Sequence, residues 1–527
     1  MKSLIILVVC VLVGSFSYGQ AFTKKQKKLY EDATYYFELT DYVSAYDIYV
    51  QLHKFERDYD EMNYRMGRCV EKLDGDLNEA IYYYSQATTS DYPESYFALA
   101  QCYHKLEDFK EAIRNYQYYK EVSFEGEIDL EEVDRQIDIS SRASQMKLNP
   151  VGVEIENVGD GVNSIYPDYV PVVSKNDSIM LFTSRREGST GGELDPYNNY
   201  FEDIFYSFKE HGQWQTAQNI GGTINTPTHD ASVGLSADGQ TLILFRTNED
   251  LTGGDLYFST FGNTYWHDPV KVANSINSEY AEASASLTED GNILYFSSDR
   301  PEGYGGKDIY RSVRFGNGEW SLPVNLGPTI NTKYDDDAPF IDHDGQTLYF
   351  SSKGHKTIGG YDIFKSAKKP STTKEHTSWS MPQNMGYPIN TVKDDIYFVK
   401  TGDDNTGYYS SSKDGGYGGQ DIYKINLVDK NKLIVIVKGK VYGEKNGEKI
   451  PVKAKITVID VETNTVQGVY KSNSNSGKYL MAVSPYRNYQ FLITVRGYQT
   501  IDENLYYPVD ENFMEFEKSV VLQRVEK

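Results

Sequence analysis

The pattern of hydrophobic and polar positions changes twice along the chain and divides it into three regions. Between Lys24 and Val122 the apolar residues recur with helical spacing, which is typical of amphipathic helices. From Val151 to Leu427 the apolar runs are short and are broken by Gly, Asp and Asn, which favours short strands and tight turns. Alternating runs continue from Leu433 onwards. The chain is therefore predicted to hold a helical region followed by two β regions.

A period of about 34 residues repeats within the helical region and has the length of a tetratricopeptide helix pair. Small residues fall where paired helices would cross, and large residues fill the layer between them. The small positions are Ala33, Gly67, Ala100, Ala45, Ala80 and Ala112, and the large ones are Tyr36, Tyr42, Tyr49, Leu77, Tyr84, Tyr103, Phe109 and Tyr116. Tetratricopeptide repeats are predicted over residues 20–126, and a capping helix with a linker over 127–150.

Stacked helix pairs of this kind hold a peptide or another protein on their concave face. The positions predicted to line this face are Arg68, Lys72, Gln101, His104 and Lys105. The alternative is that these side chains form an ordinary solvated helix face. Cys69 and Cys102 occupy equivalent places in adjacent repeats, and their position in a packing layer favours buried free thiols over a disulfide.

A second repeat, with a longer period, organises the central β region. Its five markers are Asp203-Ile204-Phe205, Asp255-Leu256-Tyr257, Asp308-Ile309-Tyr310, Asp362-Ile363-Phe364 and Asp421-Ile422-Tyr423. Turns of the Asp-Gly type precede most of the marked strand pairs, as hairpins with positive φ require. After four of the markers come a Trp and an Ile-Asn pair; these are Trp214, Trp266, Trp320 and Trp379 with Asn225, Asn277, Asn331 and Asn390.

The fifth unit lacks a Trp segment of its own. Residues 154–164 resemble residues 323–332, so the strand near 153–158 is predicted to complete the last unit and to join the two ends of the region. Four short strands per unit, repeated radially, indicate a propeller. A five-bladed β-propeller is predicted over residues 151–428.

Two glycine-rich segments, 303–306 and 416–419, resemble phosphate loops in composition. A phosphate loop leaves a strand and opens a helix, whereas these segments lie between two strands. They are predicted to be hairpin loops in which the side chains of Asp308 and Asp421 accept hydrogen bonds from nearby backbone amides.

Enzymatic chemistry has little support in the sequence. Some five-bladed propellers cleave glycans with two carboxylates in the central funnel, but the repeated Asp residues here are equivalent in every unit, which suits a structural turn better. The acidic run at 335–337 could hold calcium, yet the spacing of a calcium loop is absent, so a solvated loop is favoured. No catalytic, cofactor-binding or metal-binding residue is predicted, and the protein is predicted not to be an enzyme.

The last region, residues 429–527, is predicted to be a β-sandwich. Its strands are predicted at 433–439, 453–461, 465–471, 479–483, 489–495 and 518–522. The run Gly439-Lys440-Val441-Tyr442, with Gly477-Lys478-Tyr479 and Gly497-Tyr498, resembles the carboxypeptidase regulatory-like, transthyretin-type domain. That module is not catalytic.

Composition and charge narrow the possible partners. The formal net charge is −23, which argues against binding nucleic acid or an anionic lipid surface through general electrostatics. A basic partner stays possible. The 3 Cys residues are too few for a disulfide scaffold.

The first residues read as an export signal. Lys2 precedes an apolar run from Leu4 to Val13, and Ser17 and Gly19 suit a cleavage site before Gln20. Residues 1–19 are predicted to be a cleaved signal peptide, so the mature protein is expected outside the cytoplasm. Lipidation of Cys10 is the less favoured alternative, because bulky residues precede it.

The order of these parts resembles the periplasmic, outer-membrane-associated proteins of Bacteroidota linked to type IX secretion and gliding, of the PorE-like kind. The resemblance implies a non-catalytic scaffold or adaptor beside a membrane barrel of the PorP/SprF kind or another secretion-system component, peripheral to the membrane through that partner. Such relatives usually continue into an OmpA-like domain, whereas this chain stops at Lys527, so peptidoglycan anchoring is not expected. The alternatives are a glycan- or peptidoglycan-binding envelope protein and, with less support, a propeller glycoside hydrolase.

Overall fold

The computed structural model describes residues 22–525, apart from 74, 90–91, 124–127, 193, 196–198, 263, 370–377, 404, 428–433, 462–463, 486 and 508–512. The predicted signal peptide, with Cys10, lies outside the described residues. The chain divides into two units, Met1–Gln145 and Met146–Lys527. Among the described residues, no helix is both long and apolar enough to cross a membrane.

The first unit is built from α-helices. They are α1 Lys24–Glu38, α2 Tyr42–His53, α3 Asp60–Lys72, α4 Leu77–Gln86, α5 Glu94–Lys105, α6 Phe109–Val122 and α7 Leu130–Leu148. An aspartate caps the second helix of each pair: Asp41, Asp76 and Asp108 each accept a hydrogen bond from a backbone amide in the first turn of α2, α4 and α6, donated by Ser44, Asn78 and Glu111. The three predicted helix pairs are confirmed as α1 with α2, α3 with α4, and α5 with α6.

Small residues let the paired helices approach each other closely. Ala33, Ala45, Ala80, Ala100 and Ala112 are all fully buried, as the repeat pattern predicts. On α3, a Cβ atom at Gly67 would lie 2.7 Å from the ring of Tyr84 on α4, closer than real side chains come. Residue size at these positions therefore sets the spacing of the helices.

Helix α7 packs on the third helix pair, as its predicted capping role requires. Val133 is fully buried in a cluster with Phe97, Tyr116 and Tyr119, and Ile137 packs against the same cluster. The apolar face of α7 therefore covers the side of the pair that no further repeat follows.

The second unit begins with five antiparallel sheets. Their strands, in chain order, are β1 Glu154–Asn157, β2 Asp168–Val173, β3 Ile179–Ser184, β4 Asp203–Glu210, β5 Gln213–Trp214, β6 Gln218–Asn219, β7 Asp230–Leu235, β8 Thr241–Thr247, β9 Gly254–Thr260, β10 Val270–Lys271, β11 Ala285–Leu287, β12 Ile293–Ser298, β13 Asp308–Val313, β14 Val324–Asn325, β15 Asp336–Ile341, β16 Thr347–Ser352, β17 Asp362–Lys369, β18 Ser378–Trp379, β19 Gln383–Asn384, β20 Asp395–Lys400, β21 Thr406–Ser411 and β22 Asp421–Asn426.

Each sheet follows one repeat unit, with four strands in order and an extra short strand in two of them. The orders are β2-β3-β4-β5 with β6 on β4, β7-β8-β9-β10, β11-β12-β13-β14, β15-β16-β17-β18 with β19 on β17, and β20-β21-β22-β1. The first strands, β2, β7, β11, β15 and β20, contact one another in a closed series that returns from β20 to β2. We call this closed series of sheets the five-sheet ring.

The last sheet is completed by a strand from the beginning of the unit. Strand β1 pairs antiparallel with β22, so that Glu154 lies opposite Asn426 and Asn157 opposite Tyr423. The pairing predicted for the segment near residue 155 is therefore confirmed.

The turns that introduce the second strands have the predicted backbone. Gly239, Gly291 and Gly345 have φ values of +72°, +69° and +64°. Only glycine adopts this region without a steric cost, which explains the repeated Asp-Gly pairs.

Two further sheets follow the ring. Their strands are β23 Ile434–Lys445, β24 Glu448–Pro451, β25 Lys455–Asp460, β26 Thr465–Lys471, β27 Lys478–Val483, β28 Asn488–Thr494, β29 Ile501–Tyr506, β30 Phe513–Glu517 and β31 Val520–Leu522. One sheet has the order β24-β23-β27 with β30 and β31 on β23, and the other has the order β26-β25-β28-β29. Residues of both sheets share one apolar core that includes Val437, Ile456, Met481 and Phe491. The strands predicted from the sequence did not include β24, β29 and β30.

Candidate functional site

The five residues predicted to bind a partner lie on α3 and α5, and four of them occupy corresponding places. Arg68 and Lys72 are one helical turn apart on α3, as are Gln101 and Lys105 on α5, so each pair lies on one face of its helix. Lys72 and Lys105 are exposed, whereas Arg68 and Gln101 are half-buried. These four residues occupy matching faces of two neighbouring helix pairs.

His104 also lies on α5, but its side chain packs against α7. Its ring is buried, its Nδ1 is 2.9 Å from the hydroxyl of Ser140 on α7, and it contacts the ring of Phe109 edge-on. A side chain enclosed in this way does not reach a partner, so the predicted binding role of His104 is not supported by its position. Histidine has both apolar and polar character, which is why the sequence alone did not separate a surface residue from a packed one.

A carboxylate that the sequence reasoning did not single out joins α3 to its neighbours. The side chain of Glu71 is 7% exposed. Lys105 Nζ lies 2.9 Å from its Oε1, the Tyr84 hydroxyl donates to its Oε2, and Arg68 Nη1 lies 3.9 Å from Oε2. A buried carboxylate needs such compensation. Arg68 and Lys105 therefore hold Glu71, while Lys72 has no partner among the described residues.

Two groups beside Glu71, the Tyr84 hydroxyl and the Arg68 guanidinium, have raised pKa values. Burial, reinforced by Glu71, raises the pKa of the Tyr84 hydroxyl far above its usual range, so that it acts as a donor. Burial opposes the charge of Arg68, but Tyr84, Tyr64 and Glu71 outweigh it, and its pKa is raised. Arg68 therefore keeps its charge at neutral pH.

Cys69 and Cys102 are free and buried, as predicted. Burial raises the pKa of the Cys69 thiol to about 12, and burial together with Glu71 raises that of Cys102 to about 12. Both groups are therefore protonated at neutral pH and are poor nucleophiles.

In the five-sheet ring the marker aspartates organise loops. Asp308 accepts hydrogen bonds from the amides of Tyr304 and Gly305, at 2.6 and 3.2 Å. Asp421 accepts equivalent bonds from Tyr417 and from the amide that follows it, at 2.6 and 2.9 Å. The predicted role of these aspartates in the glycine-rich loops is confirmed.

The asparagine of each Ile-Asn pair bonds to the backbone of the marker strand. Asn331 Oδ1 accepts from the amide of Ile309 at 2.8 Å, and its Nδ2 donates to the carbonyl of Ile309 at 3.0 Å. The same two bonds recur in the other sheets: Asn225 with Ile204, Asn277 with Leu256, Asn390 with Ile363, and Asn163 with Ile422. The last of these comes from the segment that closes the ring.

A buried acid lies at or just before the first strand of every sheet. These acids are Asp168, Asp230, Glu282, Asp336 and Asp395. The first three contact Arg186, Arg246 and Arg300, respectively. His355 is 3.9 Å from Asp336, and burial raises the pKa of Asp336 to about 7. Lys413 favours ionisation of Asp395, but burial dominates and raises the pKa of Asp395 to about 6.

The prediction of a solvated loop at 335–337 is wrong for two of its three residues. Asp336 is fully buried and Asp337 is 1% exposed, because both lie on β15. Lys307 Nζ lies 2.7 Å from Asp337, and the hydroxyls of Ser284 and Ser297 donate to the same carboxylate. Three consecutive acids suggest a loop by composition, but the ammonium group of Lys307 and two hydroxyls compensate the buried charge of Asp337.

The first strands of all five sheets enclose a narrow cavity of about 50 Å³. Its described lining is mainly apolar, with Val172, Val233 and Phe340 among the contributors, and includes no Asp or Glu. The carboxylates at or near the starts of these strands are each bonded to side chains of their own or a neighbouring sheet. A pair of carboxylates suited to glycan cleavage is therefore not found in this lining.

No protein family model matches the chain, and no curated protein matches it. Among solved structures, the chain is similar to the tetratricopeptide domain of Sgt2 from Aspergillus fumigatus, with 18% identity over 24% of this chain and 84% of that one, at a TM-score of 0.22. It is similar to the Yersinia enterocolitica type III secretion chaperone SycD in complex with a peptide of the translocator YopD, with 17% identity over 24% of this chain and 98% of that one, at a TM-score of 0.22. Likenesses of this extent assign neither a partner nor an activity to this chain.

Proposed function

We propose that this protein is a non-catalytic adaptor that holds a protein partner on its helical repeats. The observation that carries the proposal is the matching placement of Lys72 on α3 and Lys105 on α5. Both are exposed, and Lys72 has no partner within the described part of the chain. Equivalent cations on successive helix pairs can contact successive acidic groups of an extended segment.

The proposed architecture behind this role is a tetratricopeptide stack, a five-bladed β-propeller and a transthyretin-like β-sandwich. The propeller is supported by the closed series of first-strand contacts and by the pairing of β1 with β22. The sandwich is supported by the core that the two last sheets share. A non-catalytic role for the propeller is supported by the internal use of its repeated aspartates.

We place the protein in the periplasm, associated with the outer membrane, and take its partner to be a membrane barrel or another secretion-system component. The resemblance of the domain order to type IX secretion and gliding proteins supports this assignment. Fractionation of cells is its first test, since recovery in the cytoplasm contradicts it.

The partner test uses capture of proteins from detergent-solubilised envelope on the purified chain. The test variant reverses the charge of Lys72, by Lys72→Glu, and removes that of Lys105, by Lys105→Gln. It is expected to recover at least tenfold less of the membrane barrel than the parent does. Lys110→Glu is the matched control, because Lys110 is an exposed lysine on α6. Equal recovery by the parent and the double variant, both folded by circular dichroism, contradicts the proposed face.

Glycan binding is a second candidate because two tyrosines project from equivalent loops of the ring. Tyr304 and Tyr417 are 51% and 50% exposed, and both lie in the glycine-rich loops. Exposed aromatic rings are common in sites for flat or ring-shaped ligands. Co-sedimentation with purified cell wall that is lost in Tyr304→Ala with Tyr417→Ala favours this function over the adaptor.

A further inference from the structure

The region after the ring departs from the acidic character of the chain. Over the whole sequence 53 basic residues face 76 acidic ones, whereas basic residues outnumber acidic ones between 429 and 527. Several of these basic residues converge on one cleft of about 590 Å³, which is bordered by Lys438, Lys440, Lys471 and Lys478. We call it the lysine cleft.

Two of these lysines are forced together by the strand register. Lys440 on β23 lies directly opposite Lys478 on β27. Cβ atoms of such pairs are about 5 Å apart, and like charges in this position repel each other. A second pair of the same kind, Lys455 opposite Lys471, joins β25 to β26. Neither pair has the opposite charge that sheets normally place there.

A tight turn fixes the first pair. Gly477, with φ of +70°, accepts at its carbonyl a hydrogen bond from the amide of Val441 at 2.9 Å. A Cβ atom at Gly477 would lie 2.5 Å from the carbonyl oxygen of Val441. The side chain of Asn473 accepts from the amides at 475 and 476, at 2.9 and 3.1 Å, and closes the turn. The backbone therefore holds Lys478 beside Lys440.

The charges in the cleft are largely uncompensated. Lys438 contacts Glu515, but the ammonium groups of Lys440, Lys471 and Lys478 have no partner among the described residues. Glu517 is the single acid in the described lining. Protection of sheet edges can explain lysines on β26 and β27, but not Lys440, because β23 has neighbours on both sides.

We propose that the lysine cleft binds phosphate groups. A bound anion placed between Lys440 and Lys478 converts their repulsion into two attractions. Lysine binds phosphate as a compact point charge, whereas carboxylate recognition favours the planar fork of arginine, and no arginine lines the described cleft. The ligand is therefore a phosphate-bearing molecule, either a soluble one or a lipid headgroup.

The test is titration of the whole chain with pyrophosphate at low ionic strength, by isothermal calorimetry. We expect Lys440→Gln with Lys478→Gln to weaken binding at least tenfold. Lys449→Gln, an exposed lysine on β24 outside the cleft, is expected to leave it unchanged. Hydrogen exchange is expected to slow on pyrophosphate binding in peptides that cover 471–480. No binding by the parent, or equal binding by the parent and the double variant, overturns the proposal.

Three further measurements test the repulsion between the lysines and the class of the ligand. Without pyrophosphate, the double variant is expected to melt at or above the temperature of the parent, because it lacks the repulsion; a lower melting temperature overturns the premise. Sedimentation with phosphatidylglycerol vesicles, but not with phosphatidylcholine vesicles, assigns the phosphate to a lipid, and pyrophosphate binding without sedimentation assigns it to a soluble ligand. If the chain binds an oligoglutamate peptide more tightly than pyrophosphate, the proposal that the cleft prefers phosphate to carboxylate groups is overturned.

Discussion

Single buried carboxyl groups in the ring combine a structural role with an unusual proton affinity. Asp362, at the start of β17, is fully buried. Its Oδ2 accepts from Asn384 at 2.6 Å and from the amide of Ile358 at 2.9 Å, while its Oδ1 accepts no hydrogen bond from the described residues. Burial, with a smaller effect of Asp395, raises its pKa to about 8. At neutral pH the group therefore keeps its proton, and Oδ2 remains available as the acceptor.

This proton makes the stability of the ring depend on pH. The unfolded carboxyl ionises near pH 4, so folding loses about 1.4 kcal/mol for each pH unit between that value and the folded pKa, and the loss levels off above about pH 8. Asp362→Asn removes the ionisable group, and with it this pH-dependent loss of stability, while it keeps an oxygen that accepts from Asn384. As the pH rises from 5 to 8, we expect the free energy of unfolding of the variant to increase by at least about 1 kcal/mol relative to that of the parent.

Thermal unfolding at pH 5, 7 and 9 measures the difference in stability between Asp362→Asn and the parent. Asp268→Asn, a change at an exposed aspartate, is the control and is expected to leave the pH dependence of the parent unchanged. A gain that is the same at all three pH values contradicts the buried-proton explanation.

At the level of elements, the sequence predicts what depends on local pattern. The small residues at helix crossings, such as Gly67 and Ala100, and the Asp-Gly turns, such as that at Gly239, follow from sterics and were predicted correctly. The burial of His104 and the position of Asp337 depend on partners from distant elements, Ser140 and Lys307, and were not predicted. Strands β24 and β29 were missed because consecutive polar residues, such as 502–504 in β29, interrupt the sequence alternation on which the prediction relies.

The helix crossing at Gly67 allows a direct test. Gly67→Val puts a branched side chain against the Tyr84 ring, where a Cβ atom already comes within 2.7 Å. We expect a loss of about 1–3 kcal/mol in the free energy of unfolding of the helical unit, as for overpacked cores. Lys110→Val is the control for helix propensity, because Lys110 is exposed on α6. Unfolding of both variants is measured by the helical signal in circular dichroism. Equal melting temperatures of Gly67→Val and Lys110→Val contradict the explanation that Gly67 is needed for the close helix crossing.

At the level of the whole molecule, the ring depends on a segment that precedes it in the chain. Strand β1 and Asn163 complete the last sheet, and they lie far in sequence from β22. The sequence predicted this closure because residues 154–164 repeat an internal pattern. It did not predict the lysine cleft, because the total charge of −23 conceals a local excess of basic residues.

The closure of the ring by β1 and Asn163 predicts which fragments of the chain fold. A fragment of residues 151–428 is expected to give a cooperative melt and resist proteolysis. A fragment of residues 165–428 lacks β1 and Asn163, leaves the edge of β22 unpaired, and is expected to aggregate or to be cleaved rapidly. Moving residues 151–164 to the C-terminus of the short fragment restores the missing strand and is expected to restore the melt. Equal protease resistance of the two unpermuted fragments contradicts this role of β1.

The pairing of β1 with β22 has a mechanical consequence. Glu154, where β1 begins, lies opposite Asn426, where β22 ends. Tension applied from the two flanks of the ring therefore acts on one end of this antiparallel ladder and separates its hydrogen bonds one after another, rather than all at once. We therefore expect the ring to open at low force when the segments on its two sides are pulled apart.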